Sequence, residues 1–240
     1  MRVMSELTSP TYGALRRIVA LVPVGSVEPH GPHLPLGTDT TISVGAARRA
    51  AARLEAAGYA ALVAPAVPYG VTECAKAFPG AVSVPAEVLT AYLGAVIDGL
   101  VTAGAAHVCL VNNHLEPAHV AAVAAATLGR PASHACPTTR RWARTLSDEF
   151  KSGACHAGRY ETSLVLAEAP ALVDEAARAG LVEVPVSLSE RLGAGVTDFR
   201  EMGLARAYAG DPAEATAEEG EALMERLAAM VYAEVVEALA

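Results

Sequence analysis

The segment "VGSVEPHGPHLPLGTDTT", residues 24–41, carries Glu28, His30, His33 and Asp39 in one short stretch, and "NNHLEP", residues 112–117, carries His114 and Glu116. Alternate side chains of extended backbone point the same way, so Glu28 with His30, and His114 with Glu116, can each face one cavity. With Asp39 they supply three carboxylates and two imidazoles. That is too many donors for one tetrahedral ion with an open position. It suits two divalent ions with one carboxylate shared between them. Imidazole and carboxylate are compatible with zinc, manganese or iron(II), so the donor types leave the metal open. The plainer readings are solvated loop carboxylates, Asp39 as a helix N-cap, and His33 as a polar loop residue or a supporting partner.

A third cluster is "CHAGRYETSLVLAEAP", residues 155–170. His156 precedes a small-residue turn and Glu161 begins a helix-like run. Glu161, Thr162 and Ser163 read either as capping chemistry or, with His156, as groups that move protons. Arg159 reads either as a contact for an anionic substrate group or as a solvated side chain.

These residues need elements to hold them. Prolines 29, 32 and 35 forbid a helix or a central strand across the first cluster, so it is a stiffened loop after the β-branched run 18–26. Helical spacing over 40–58 and 85–104, each stopping at glycine, alternates with strand-like runs at 60–70 and 107–114. A further helix is predicted over 117–128, a strand over 131–136, and a helix over 138–150. Residues 182–206 are less regular. The last helix is predicted to open with Asp211 as N-cap and Pro212 at its first position. Such alternation predicts an α/β fold with a mostly parallel sheet and helices on both faces. Sites in such folds gather at the carboxyl ends of strands, which puts both polar clusters on one edge.

The 240 residues show no internal repeat and no linker, and a single domain over 1–240 is expected. At 52% hydrophobic and 18% charged, the chain can bury a large core. A net charge of −8 argues against nucleic acid as a partner. No run reads as a membrane span or a secretory leader. Four cysteines without a C-x-x-C pair read as free thiols of a reducing compartment, so a cytoplasmic protein is expected.

"VPVGSVEPHGPHLPLGTDT" resembles the signature of the creatininase family of metal-dependent amidohydrolases. "FPGAVSVPAEVL" (78–89), "VNNHLEP", "HAGRYETSLVLAEAPALV" and "GDPAEATAEEG" resemble the family's later motifs, in order. The resemblance implies a three-layer α/β/α sandwich and a binuclear metal centre with a bridging hydroxide that cleaves a cyclic or linear amide. Carried over by position, it implies Glu28, His30, Asp39 (bridging), His114 and Glu116 as metal ligands. Glu161 is a candidate ligand or base, and His156 the acid that protonates the leaving nitrogen. Thr72, Leu115 and Arg159 are expected to face the substrate. The family also implies a homo-oligomer, dimer-based and up to a hexamer. Asn113 stands where the family usually has glycine, Glu73-Cys74 where many members carry histidine, and Cys155 where creatininase is acidic. Trp142 is the only tryptophan, whereas creatininase lines its pocket with several, so creatinine is disfavoured as substrate. Among relatives, a peptidase that trims a cofactor-precursor peptide is one alternative. A two-metal phosphoesterase is another, weakened because Arg159 is the only obvious cation near the clusters. A metal-bound member without catalysis is the third.

Overall fold

The computed structural model describes residues 1–240. Five strands form one parallel sheet: β1 (Arg2–Val3), β2 (Ile18–Val24), β3 (Ala60–Val63), β4 (Ala105–Asn112) and β5 (Ala132–Ala135). Their spatial order is β1-β3-β2-β4-β5. The helices are α1 (Ser9–Gly13), α2 (Thr38–Ala56), α3 (Ala86–Thr102), α4 (Pro117–Thr127), α5 (Arg140–Ala143), α6 (Asp148–Ser152), α7 (Arg159–Glu168), α8 (Glu175–Arg178), α9 (Leu188–Gly193), α10 (Phe199–Met202) and α11 (Ala217–Leu239).

The sheet separates two apolar cores because strand side chains alternate. On β2, Val19 and Leu21 join the core beneath α2, α7 and α11. Ile18, Ala20, Val22 and Val24 join the core beneath α3 and α4. Helix α3 presents Leu89, Leu93, Ile97 and Leu100 to that second core, a stripe at helical spacing. Helix α2 buries an alanine-rich face (Ala46, Ala47, Ala50, Ala51), small enough for α11 to pack closely across it. Gly220 shows how close α11 comes to α7: a Cβ there would lie 1.8 Å from the Ser163 carbonyl oxygen. The result is a three-layer α/β/α sandwich, as the sequence implied.

Three local expectations are corrected. The strand at Arg2–Val3, paired to Leu62–Val63, lies outside the expected set; two residues carry no readable periodicity. The helix expected over 138–150 is two short ones. Ser147 breaks the run by accepting a hydrogen bond from the Phe150 N–H at 3.2 Å and so starting α6 afresh. The last helix does not open at Asp211. Pro212–Glu214 is a single 3-10 turn, and the N-cap is Thr216, whose hydroxyl accepts from the Glu219 N–H at 3.1 Å. No helix is long and apolar enough to cross a membrane.

What positions the site is the pairing of β2 with β4. Val24 and Asn112 are register partners at the carboxyl ends of the two central strands, so residues 25–37 and 113–116 leave the sheet side by side. A bridge between Val24 and Val67 brings the segment after β3 to the same place.

Candidate metal centre

Glu28, His30, Asp39, His114, His156 and Glu161 meet at this edge, all buried. The proline-rich loop is closed on itself by Glu28 N–H to the Leu36 carbonyl (3.0 Å) and anchored by Gly31 N–H to the Ala207 carbonyl (2.8 Å). It therefore presents Glu28 and His30 at a fixed angle. Asp39 is the second residue of α2, inside the helix rather than capping it. That helix can start so near β2 because Gly25 has no Cβ; one there would lie 2.5 Å from the Thr40 hydroxyl oxygen. His156 and Glu161 come from the turn into α7. Ala157 has φ of 50°, a left-handed conformation unfavourable for a residue with a side chain, and its N–H is held by the Glu161 carboxylate at 2.6 Å.

The two central imidazoles are oriented by carbonyls, which only accept. His30 Nδ1–H donates to its own chain at Glu28 O (3.0 Å), and His114 Nε2–H donates to Val71 O (2.7 Å). Each ring therefore turns a lone pair toward carboxylates. His30 Nε2 lies 3.2 Å from Asp39 Oδ1, 3.6 Å from Glu161 Oε2 and 3.7 Å from Glu28 Oε1. His114 Nδ1 lies 3.1 Å from Asp39 Oδ2 and 3.3 Å from Glu28 Oε1. Lone pairs facing anions repel unless a proton or a metal cation lies between them. His30 Nε2 and Asp39 Oδ2 are buried with no hydrogen-bond partner, the signature of atoms kept for a metal. Three donor groups are compact enough to hold an ion: Glu28, Asp39 and His114; His30, Asp39 and Glu161; and Glu28, His30 and His156.

Other expected residues fall elsewhere. Glu116 is absent from these groups; its two oxygens accept the Glu73 and Cys74 N–H groups at 3.0 Å each, and Glu161 occupies the position beside His30 instead. Thr72 is wholly buried and donates its hydroxyl to Glu28, so it braces a carboxylate and does not face a substrate. Arg159 points outward and pairs with Glu219, because it sits on the opposite side of the first turn of α7 from Glu161. Leu115 does line the cavity above the cluster, with Glu116 and His156. That cavity measures about 350 Å³.

Several supporting residues escaped the sequence reading. Asn112 Oδ1 accepts from the His114 N–H (3.1 Å) and from His119 Nε2–H (3.0 Å), while His119 Nδ1 accepts from the Val71 N–H (3.2 Å). This chain of bonds fixes Val71, and Val71 in turn fixes the His114 ring. His119, on the first turn of α4 three residues after Glu116, is the only one with a sequence signal. His33, by contrast, was read from the sequence as a polar loop residue or a supporting partner; it bonds Thr162 Oγ1 at 2.8 Å through Nε2, joining the loop to α7.

In the metal-free cluster burial disfavours every charge; the neighbours override it at His30 and Glu28 but not at Glu161. Against burial, Asp39, Glu161 and Glu28 raise the His30 imidazole to about 10. Against burial again, His114 and His156 hold Glu28 down at about 2. Burial pushes Glu161 up to about 8 despite His30. The raised His30 stabilises the fold fully below its ordinary 6.5, and this is lost as pH rises through about 10. Glu161 adds a loss between its ordinary 4.5 and about 8, because the unfolded chain ionises first. Chelated protein is therefore expected to melt at progressively lower temperature from about pH 7 to pH 10, above the range in which the depressed His33, His119 and His156 oppose the trend, and metal-loaded protein to resist this fall because a cation replaces the protons. Scanning calorimetry with and without chelator checks it; a rising Tm of chelated protein over that range would contradict it.

A parallel α/β/α sandwich with buried carboxylates and imidazoles converging at the carboxyl edge of its sheet is the architecture of a metal-dependent hydrolase. The family model for creatininase, described as creatinine amidohydrolase, matches residues 5–235. The chain belongs to the creatininase family and is a hydrolase of that metal-dependent class. It is 37% identical to the mycofactocin precursor peptide peptidase of Mycobacterium tuberculosis over 231 residues, covering 91% of this chain and 85% of that protein. The peptidase of the same name from Mycolicibacterium smegmatis is 33% identical, covering 90% and 85%. The creatinine amidohydrolase of Pseudomonas putida is 32% identical over 123 residues, 47% of this chain and 45% of that one. Among solved structures, one of creatininase with manganese in its name superposes with a TM-score of 0.78 at 22% identity, covering 99% of this chain and 98% of that chain.

Proposed function

We propose that the chain hydrolyses a C–N amide bond in a short peptide with two divalent ions. Glu28, Asp39 and His114 would hold one ion, and His30, Asp39 and Glu161 the other. The observation that carries this reading is Asp39: its two oxygens face two different imidazole lone pairs, at 3.2 and 3.1 Å. Zinc, manganese and iron(II) all accept such donors. When bound, the ions would polarise the scissile carbonyl and make a water nucleophilic near neutral pH.

The chain's own groups would handle protons. Glu116 lines the cavity beside His114, clamped by two N–H groups that leave each oxygen a free lone pair, and burial raises its pKa, so it is placed to accept a proton. His156 donates Nε2–H to the Pro29 carbonyl at 3.0 Å, which leaves Nδ1 as its exchanging atom. Burial and the neighbouring His30 hold this imidazole down at about 4. It therefore starts neutral and returns to the departing amine only a proton it has first taken up.

A peptide substrate is supported over creatinine by similarity along nearly the whole chain to peptidases, against half the chain for a creatinine amidohydrolase. Trp142 adds to this: its indole N–H donates to Glu234 at 2.6 Å and leaves the cavity without a tryptophan wall. The expected homo-oligomer stays part of the proposal, supported by Val88 and Tyr92, which leave apolar surface exposed on α3.

Metal-loaded protein incubated with short peptides and with creatinine, read by mass spectrometry, is expected to cut peptides and leave creatinine intact; cleavage of creatinine alone would overturn the substrate class. Glu161→Gln is expected to lose one of the two ions. Glu116→Gln is expected to keep both and to turn over at least ~10²-fold more slowly. The opposite pattern in elemental analysis would return Glu116 to the ligand set.

A further inference from the structure

Arg140, Arg144 and Lys151 line the same cavity as the metal-binding residues. These three are exposed where the carboxylates and imidazoles are buried, so they form its mouth and the cluster its floor. Leu115, Phe150, Leu192 and Phe199 add apolar lining to the same cavity. Arg140 and Arg144 are four apart across α5 and its C-terminal cap, the spacing that puts two side chains on one face. Lys151 is partnered by Asp148 at 2.6 Å. Neither guanidinium has an acidic partner. Half of the sixteen arginines are ion-paired, including the adjacent Arg141 with Glu237, Arg53 with Glu225 and Arg130 with Asp98. In a chain with 26 acidic and 18 basic residues, two unpaired arginines at the entrance to an acidic floor are not explained by a surplus of positive charge.

We propose that Arg140 and Arg144 select substrates bearing a carboxylate, which they hold at the mouth while the amide to be cut lies over the floor. This rests on the amide-hydrolase reading for the place of the scissile bond, and it adds the chemical class of the substrate. A planar guanidinium matches a carboxylate in geometry as well as charge. The carboxylate is either a peptide's chain end or an acidic side chain.

Three acetylated peptides with one apolar sequence separate these sources: one with a free C-terminus, one amidated, and one amidated with a single glutamate introduced. Dissociation constants are measured by calorimetric titration into metal-loaded enzyme, and kcat/KM wherever cleavage occurs. At least one carboxylate peptide is expected to bind about tenfold tighter than the neutral twin, and the one preferred identifies the source. The preference is expected to shrink in about 0.5 M salt, to collapse in R140Q/R144Q, and to survive in R141Q, whose arginine is paired on the adjacent surface. Equal binding of all three, no measurable binding of either carboxylate peptide, a preference that persists in R140Q/R144Q, or its equal loss in R141Q would each overturn the proposal. Charge preference with no cleavage of any peptide would support the rim and count against the hydrolase reading; cleavage without preference would do the reverse.

Discussion

Asp39→Asn is expected to release metal from both positions and to lower turnover by more than ~100-fold, a larger loss than removing a supporting hydrogen bond around a metal, which typically costs 10–100-fold in affinity or activity. The two residues have the same shape, so the cause is electronic. Asp39 offers one anionic oxygen to His30 and another to His114. An asparagine offers one neutral carbonyl oxygen and, on its other side, two N–H donors that an ion repels. Whichever way the amide turns, both positions lose an anionic ligand, and one of them also gains a misdirected donor. Elemental analysis of protein purified without chelator checks this: about two ions per chain for the native protein, and a large deficit in the variant. Full metal content in Asp39→Asn would count against Asp39 as the shared ligand.

His156→Ala is expected to lower kcat by ~10²–10⁴-fold, the usual worth of positioned proton transfer, while both ions stay bound. The ring lies between His30 and Phe199, with centroids 4.6 and 4.5 Å away, and its one N–H is committed to Pro29. Nδ1 stands 3.7 Å from Glu28 Oε1, at the cavity wall. Alanine removes this exchanging atom and leaves the five proposed ligating groups in place. Loss of kcat with little change in KM would mark a group acting on the transition state. Loss of metal instead would assign His156 to the donor group it forms with Glu28 and His30. Unchanged kcat would move the proton transfer to Glu116.

By itself the sequence determined the fold class and most of the floor of the site. The uninterrupted apolar run "IVALVPV" and the glycine-terminated helical runs specify a parallel sheet covered on both faces, and a parallel sheet delivers its strand-end loops to one edge. Glu28, His30, Asp39 and His114 were therefore legible, because each sits at or just beyond the end of a central strand, or on the helix that follows. Tertiary structure alone decided which glutamate stands beside His30. Glu116 and Glu161 are equally capable carboxylates in sequence, but Glu116 meets two free N–H groups after β3, while Glu161 reaches the cluster from a turn that Ala157 bends. Tertiary structure also turned Arg159 away. Residues two apart on a helix differ by about 200° around its axis, so α7 cannot bring both Arg159 and Glu161 to the cavity, and its packing against α2 and α11 selects Glu161. The cations that do reach the cavity, Arg140 and Arg144, lie on a segment whose uninterrupted helical pattern gave no sign of the break at Ser147. That break depends on one hydroxyl competing for a backbone N–H, a contest settled by packing and not by periodicity.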